Sequence, residues 1–319
     1  MTRESMKAIQ ISNKSPHLVN LPEPQGDGVK VTIRVASICS SDLHLMSNGW
    51  AENRILGHEF AGVTEDGTAV AIEPIVACGA CDFCDDGNHN HCNEQAQLLG
   101  VGLDGGMAES IIVPPNILVP IPTGLAIENA SLIEPLAVAL HGLNRANISS
   151  KDKILVIGAG AIGLMAIVAL QARGLSCDLV ARYEHQKIIA AQFQSSAGIT
   201  DGYSLVIDAV GNSDSVQQAV QRLRPMGRIL MLGSFWDGAN LDLQFSAKEL
   251  TIIGAATYQC GSTNRDFAEA AAILANDASI ADHMITHRFP LEACNEAFNA
   301  AGDRSQGAVK VVFDLPTRQ

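Results

Sequence analysis

The sequence predicts an α/β chain in two parts, one rich in short strands and bearing a metal lobe, the other a doubly wound parallel sheet. Three observations predict it. Cys78-Gly-Ala-Cys81-Asp-Phe-Cys84, closed by Cys92, gathers four thiols into one short stretch. Lys153-Ile-Leu-Val-Ile157 is an unbroken apolar strand that runs directly into Gly158-Ala-Gly160-Ala-Ile-Gly163. Beyond it strand-like and helix-like segments alternate, as parallel βαβ units do, whereas before it short strands are separated by turns.

Composition bounds the classes. With 319 residues the chain exceeds the size one core usually serves, so two domains are expected. It is 47% hydrophobic and 17% charged, as globular proteins are, and with 4% aromatics its core must be aliphatic. A net charge of −13 repels phosphate backbones and anionic lipid, so no nucleic-acid or membrane partner is expected. The run Met1-Thr-Arg-Glu-Ser-Met-Lys7 lacks the apolar segment of a signal peptide, and Ile162 to Leu170 is too short to span a bilayer. Eight cysteines without an export signal point to metal rather than disulfides, and to a cytoplasmic location.

In chain order, residues 7–11 and 29–35 read as strands on either side of the turn-rich run Pro22 to Gly28. Cys39-Ser-Ser41-Asp42-Leu-His44 and Gly57-His58-Glu59 follow. A lone Cys or His is usually packed or solvated. Cys39, His58 and Glu59 together, beside a second zinc signature, read as a catalytic metal site, which needs a few protein ligands and one exchangeable position.

Residues 70–73 form a strand leading into the lobe. Its C-x2-C-x2-C-x7-C spacing lets Cys78, Cys81, Cys84 and Cys92 converge on one tetrahedral zinc, with Gly79, Gly87 and Asn88 supplying the turns. Four thiolates leave no open position, so this zinc is expected to be structural; unpaired or disulfide-bonded cysteines are the competing reading. Gly105-Gly106-Met-Ala-Glu109 and Ile111 to Val113 resume the strands. Leu132-Ile-Glu134-Pro135 opens a long helix, its proline near the first turn. The carboxylate of Glu134, in apolar surroundings, calls for a metal, a cation or a capping amide.

After the strand at 153–157, the glycines are placed to let a pyrophosphate approach the backbone of a helix N-terminus, which assigns Gly158, Gly160, Ile162 and Gly163 to cofactor binding. Strands are expected at 178–181, 204–208, 228–232 and 250–253, with helices between them, notably 213–223. A helix from Asn264 to about Asn276, another over 291–301 and a strand over 310–313 end the chain. No repeats or low-complexity segments occur.

With these residues in hand, the chain resembles the zinc-dependent medium-chain dehydrogenase/reductase (alcohol dehydrogenase) superfamily, and within it the polyol and threonine dehydrogenase branch. Six motifs carry the resemblance in order: Cys39-x-Ser41-Asp42-x-His44, Gly57-His58-Glu59, the four-cysteine lobe, Gly105-Gly106-x-Ala-Glu109, Ile133-Glu134-Pro135 and Gly158-Ala-Gly160-x-x-Gly163. The resemblance implies a GroES-like, β-rich catalytic domain from residues 1–136 and 260–319, with the zinc lobe at 78–92, and a Rossmann domain at 137–259. It implies an active site in the cleft between them. Cys39 and His58 would bind the catalytic zinc, with Glu59 and Glu134 as further ligands, direct or through water. Ser41 would accept the substrate's hydroxyl proton and His44 pass it towards solvent. Two zinc ions per chain, one catalytic and one structural, and a homo-dimer or homo-tetramer joined through the last Rossmann strand are likewise implied; Trp50 and Met46 are separate candidates for lining the pocket, a matter that loop geometry decides.

Two departures stand out. Arg182 ends the second Rossmann strand where members preferring NAD carry an acid, so NADP is favoured over NAD, with His185 and Lys187 assisting; a merely solvated arginine is the alternative. Gly198 and Ser204 leave little room for a third strand, which is expected to shrink to a stub with an open adenosine side. The function expected is hydride transfer between a secondary alcohol (a polyol, sugar derivative or hydroxy amino acid) and NAD(P), giving the ketone. A zinc-free NADPH reductase of the same superfamily and a non-catalytic cofactor-binding homologue are the alternatives; intact Cys39, Ser41, His58 and Glu59 argue against both.

Overall fold

The first hairpin shows how local sequence sets register. β1 (Ser5–Ser12) and β2 (Ser15–Pro22) pair antiparallel through Asn13 and Lys14, both at positive φ (50° and 59°), the mirror-image turn whose twist suits a two-residue loop. The computed structural model describes residues 5–94, 97–193, 195–196, 198–258 and 265–316. Two units form: Met1–Glu134 with Gln259–Gln319, and Pro135–Tyr258.

In the first unit, β3 (Val29–Ile38) is the organising strand, with Val31, Ile33 and Val35 to Ile38 buried. Helix α1 (Ser40–Ser47), β4 (Glu59–Thr64), β5 (Ala69–Ile72), β6 (Ile75–Val76), α2 (Asp82–Asp85), β7 (Gln97–Leu98), β8 (Ser110–Val113) and β9 (Leu118–Pro120) follow. β4 and β8 pair antiparallel with β3, β5 with β4, and β9 with β5. The register sets Ser37 opposite Glu59.

One expectation is corrected here, and one element is added. α1 was not read from the sequence; it forms because Cys39 occupies the N-cap while the Asp42 carboxylate accepts from the Cys39 amide at 2.8 Å, a reciprocal cap. Residues 105–109 are not a strand. Gly105 and Gly106 instead back the turn at Gly57, donating to the carbonyls of Ile55 and Gly57 at 2.8 Å each, and a Cβ on Gly105 would stand 2.2 Å from the Gly57 oxygen.

The second unit holds α3 (Ile133–Arg145) from Pro135 onwards, then β10 (Ile154–Ile157), α4 (Ala161–Ala172), β11 (Cys177–Val180), α5 (Glu184–Gln192), β12 (Ser195–Ser196), β13 (Tyr203–Asp208), α6 (Ser213–Arg222), β14 (Leu223–Met231), α7 (Leu243–Ala247) and β15 (Thr251–Gly254). Among the described residues its six strands lie in the order β12-β11-β10-β13-β14-β15, every pair parallel. Counted from β10, this is the doubly wound order 3-2-1-4-5-6, with the switch point between β10 and β13. Both of those strands are buried throughout, as strands in a sheet covered on both faces must be. Among the described residues the third strand is Ser195–Ser196, ahead of the interval 198–204 in which a stub was expected, and β15 forms the opposite edge, with Ile252 partly exposed.

The chain then returns to the first unit with α8 (Arg265–Asn276), α9 (Ser279–Met284), β16 (Ile285–Phe289), α10 (Cys294–Gly302) and β17 (Lys310–Asp314). Asn264, the expected start of α8, lies outside the described residues. The helix expected from 291 begins as a single tighter turn, Leu291–Ala293, before α10. β17 pairs antiparallel with β3, Val311 opposite Ile38, so the end of the chain completes the sheet on which the N-terminal motifs sit. Ile9, Ile33, Phe60, Ile72, Phe298 and Phe313 share its core. Among the described residues no helix is long and apolar enough to cross a membrane.

Candidate metal centres and dinucleotide turn

The four lobe cysteines come together as their spacing predicts. α2 carries Cys84, Cys81 is its N-cap, and Gly79 and Gly87 take positive φ (70° and 76°) in the turns on either side. The Sγ–Sγ separations are 3.8 Å for Cys78–Cys84, 3.5 Å for Cys81–Cys84 and 4.0 Å for Cys81–Cys92. Disulfides are excluded at these distances, since bonded sulfurs lie about 2.0 Å apart. A tetrahedron with Zn–S bonds of about 2.3 Å has edges of about 3.8 Å, so the sulfurs fit zinc. Backbone amides of Cys78, Ala80 and Asn93 point at the sulfurs of Cys92, Cys78 and Cys81, each at 3.4 Å. The Asn93 and Cys84 amides bring the Cys81 thiol down to about 6, while burial pushes Cys84 up to about 12.

The second cluster is assembled by two strands and a helix. Ligand atoms of Cys39, His58 and Glu59 all lie within 4.8 Å of one another, with His58 and Glu59 buried. Cys39 stands between β3 and α1, and His58 is presented by the glycine-backed turn ahead of β4. Thiolate, imidazole and carboxylate are a zinc donor set, and the cluster fits that ion. Nδ1 of His58 faces Oδ1 of Asp42 at 3.6 Å, and its Nε2 lies 3.4 Å from the Ser41 hydroxyl. Burial would lower the His58 pKa, but the charges of Asp42 and Cys39 carry it well above the ordinary imidazole value. Burial raises Asp42, against the opposing pull of His58 and of the Cys39 amide.

Glu134 is buried in the same unit but does not join that three-residue group. Burial raises its carboxyl to about 7, against the attraction of His58. Glu59 is engaged elsewhere: Lys310 Nζ lies 2.8 and 2.6 Å from its two carboxylate oxygens, and the Ser37 hydroxyl also donates to it. His44, half-buried, is one turn beyond Ser41 on α1. Trp50 is 65% exposed, and Met46 packs against the first unit's core.

Asp42, Ser37 and Lys310 were not singled out from the sequence as site residues. An Asp three residues beyond an N-cap position is a readable capping signal, and a lysine inside the apolar run Ala308 to Phe313 is a readable anomaly.

In the second unit Gly158 adopts φ +94°, and Gly163 packs so closely that a Cβ there would stand 1.8 Å from the Gly158 oxygen. Gly160 is the N-cap of α4 without a side-chain cap, and Leu164 is the residue whose amide returns to the Gly160 carbonyl, at 3.0 Å. The amides of Ala161, Ile162 and Gly163 therefore begin the helix without intrahelical acceptors, a cradle suited to a pyrophosphate. Asp208, at the end of β13 across the switch point, braces the neighbouring turn by accepting from the amides of Val210 (2.8 Å) and Gly211 (3.1 Å). The position two residues beyond β11 is Arg182 rather than an acid. Arg182 is exposed there, its guanidinium 5.3 Å from the Tyr183 ring centre, and Tyr183 stacks on His185. Lys187 pairs with Glu184 at 3.0 Å rather than standing beside Arg182 as an unpaired cation.

Comparison with known proteins agrees with this geometry. Residues 25–123 match the alcohol dehydrogenase GroES-like domain family, and residues 127–315 the glucose dehydrogenase C-terminus family. The chain is 31% identical over 312 residues to L-galactonate-5-dehydrogenase of Escherichia coli, covering 87% of this chain and 89% of that protein. It is 27% identical over 347 residues to sorbitol dehydrogenase of Bacillus subtilis, with 97% of each covered. The crystal structure of galactitol-1-phosphate dehydrogenase from Escherichia coli superposes with a TM-score of 0.87 at 25% identity, over 97% of this chain and 100% of that one.

Proposed function

This chain belongs to the zinc-type alcohol dehydrogenase family, in its polyol dehydrogenase branch, and from that premise we propose that it oxidises a secondary alcohol of a polyol or sugar acid to the ketone with NAD(P). One observation carries the reading: Cys39, His58 and Glu59 converge beside the Ser41 hydroxyl. In the proposed assignment Cys39 and His58 hold the catalytic zinc, Glu59 or Glu134 completes the set, and the lobe of Cys78, Cys81, Cys84 and Cys92 holds a structural one. When bound, zinc supplies Lewis acidity that makes an alcohol O–H acidic near neutral pH, and the nicotinamide accepts the hydride from the carbinol carbon.

The protein's own groups do the rest. Ser41 Oγ accepts the hydroxyl proton, and His44, one turn along α1, passes it to solvent. Asp42 fixes the orientation of the His58 ring. Gly158, Gly160, Ile162 and Gly163 bind the pyrophosphate. Arg182, without an acid beside it, is read as the partner of a 2′-phosphate, which favours NADP. The edge strand β15 is proposed to pair across a homo-oligomer, and the free lobe thiols fit a reducing compartment such as the cytoplasm.

The test is a panel of polyols and aldonic acids offered with NAD and with NADP, followed at the reduced-nicotinamide absorbance band, alongside zinc analysis. Turnover of a substrate with adjacent hydroxyls by protein carrying two zinc ions per chain is expected. Fully metallated protein that turns over none of the panel with either cofactor would overturn the reading.

A further inference from the structure

Among the described residues of the second unit, Asp208 is the only acidic side chain that is fully buried, and it ends β13 at the switch point. Its carboxylate is held by neutral donors: the Ser215 hydroxyl at 2.7 Å and the amides of Val210 at 2.8 Å and Gly211 at 3.1 Å. Among the described residues no lysine, arginine or histidine pairs with it. Burial raises its carboxyl above the ordinary value, against those three donors. A buried carboxylate without a cation is unfavourable, and bracing a turn needs only an acceptor, which a neutral asparagine also offers. The charge itself therefore calls for a use.

The turn that Asp208 braces stands beside the dinucleotide fingerprint. Val210 is 43% exposed, and a Cβ on Gly158 would stand 2.5 Å from its Cγ2. A Cβ on Gly233, just beyond β14, would stand 2.4 Å from the Val210 carbonyl carbon, and the Gly233 amide donates to the Asp208 carbonyl at 2.9 Å. The turns after β10, β13 and β14 thus meet around this carboxylate. A doubly wound sheet has two mononucleotide-binding halves; the half that ends at Arg182 takes the adenosine, so the half that begins with β13 takes the nicotinamide.

We propose that Asp208 sets a preference for the oxidation state of the cofactor: its buried, cation-less carboxylate favours the positively charged pyridinium of the oxidised form over the neutral dihydronicotinamide. The proposal rests on the reading that the dinucleotide lies across the Gly158–Gly163 turn. Oxidised and reduced cofactor share every phosphate and ribose, so a change in the shape of the turn moves both affinities together. A charge acting on the ring separates them, and in the interior it does so with little screening by salt.

Calorimetric titration of the full-length, zinc-loaded protein at pH 8 tests this, with NAD+ and NADH and with NADP+ and NADPH. The readout is the Kd of the reduced form divided by that of the oxidised form. Asp208→Asn keeps an acceptor for the turn and loses the charge. Its ratio is expected to fall about threefold or more, through weaker binding of the oxidised form. Equal weakening of both forms, or an unchanged ratio, overturns the proposal and leaves Asp208 a brace alone. Should Asp208→Asn fail to fold, Ser215→Ala decides. It keeps the carboxylate and removes one donor that screens it, so the ratio is expected to rise; an unchanged or lower ratio overturns the proposal. Wild-type protein that binds neither cofactor pair removes the underlying dinucleotide reading instead.

Discussion

Oδ1 of Asp42 and Nδ1 of His58 face each other at 3.6 Å in the interior, and neither atom has a hydrogen-bond partner among the described residues. The other oxygen of Asp42 is tied to the Cys39 amide, so one carboxylate orients two of the proposed zinc ligands. At this separation the carboxylate acts on the ring through its charge, which raises the basicity of the imidazole. Asp42→Asn keeps the cap but removes the charge. It is expected to weaken zinc at this site by about 10–100-fold, measured by competition with a chromophoric chelator.

Ser41→Ala tests the proton path. Its hydroxyl is placed beside His58 rather than in the core, so removing it leaves the metal site standing. Turnover is expected to fall by about 100-fold or more with zinc content unchanged. An unaltered kcat would remove Ser41 from the mechanism.

Arg182→Ala tests cofactor choice. Loss of a charge-assisted bond to a 2′-phosphate is expected to raise the Kd for NADPH about tenfold or more, and to leave NADH nearly unaffected. Fluorescence titration of both cofactors gives the comparison. Equal losses for both would mean that the arginine reads no phosphate.

Cys84→Ser tests the lobe. Cys84 is buried and its sulfur lies within 4 Å of two others, so a hydroxyl there cannot replace the thiolate. The variant is expected to lose one zinc equivalent and to become open to proteolysis within residues 78–92, while the signals of the second unit persist. Retention of full zinc would contradict a four-thiolate site.

Asp152 supplies a stability test away from chemistry. Burial acts to raise its pKa, but bonds from Arg228 (2.6 Å), Ser204 (2.8 Å) and the Ser149 amide (2.9 Å) hold it below the ordinary carboxylate value. A depressed folded pKa stabilises above the unfolded value of about 3.9, and that contribution is lost as pH falls through the lower folded value. Asp152→Asn should therefore cost about 1.5–3 kcal/mol at neutral pH, with the gap to wild type closing below about pH 4. Denaturant melts across pH measure it.

Legibility in the sequence tracked locality. The lobe could be read because its ligands sit on turns that the chain makes within a few residues, and the glycine fingerprint because strand, turn and helix are consecutive. The helix at Ser40 was harder. Its stability comes from a cap in which a cysteine and an aspartate act as reciprocal partners, not from an apolar stripe. Gly105 and Gly106 were misread as strand because their constraint is a close approach to the backbone of Gly57, nearly fifty residues earlier.

By itself the sequence determined the four-thiol lobe, the dinucleotide turn, the alternation that makes a parallel sheet, and the residue types gathered at Cys39, His58 and Glu59. Only the tertiary structure decided how those groups are engaged. Glu59 meets Lys310 across 251 positions of chain because β17 pairs antiparallel with β3 in a register that sets Val311 against Ile38. Such pairings are fixed by which faces of distant strands become buried together, and no local spacing encodes them.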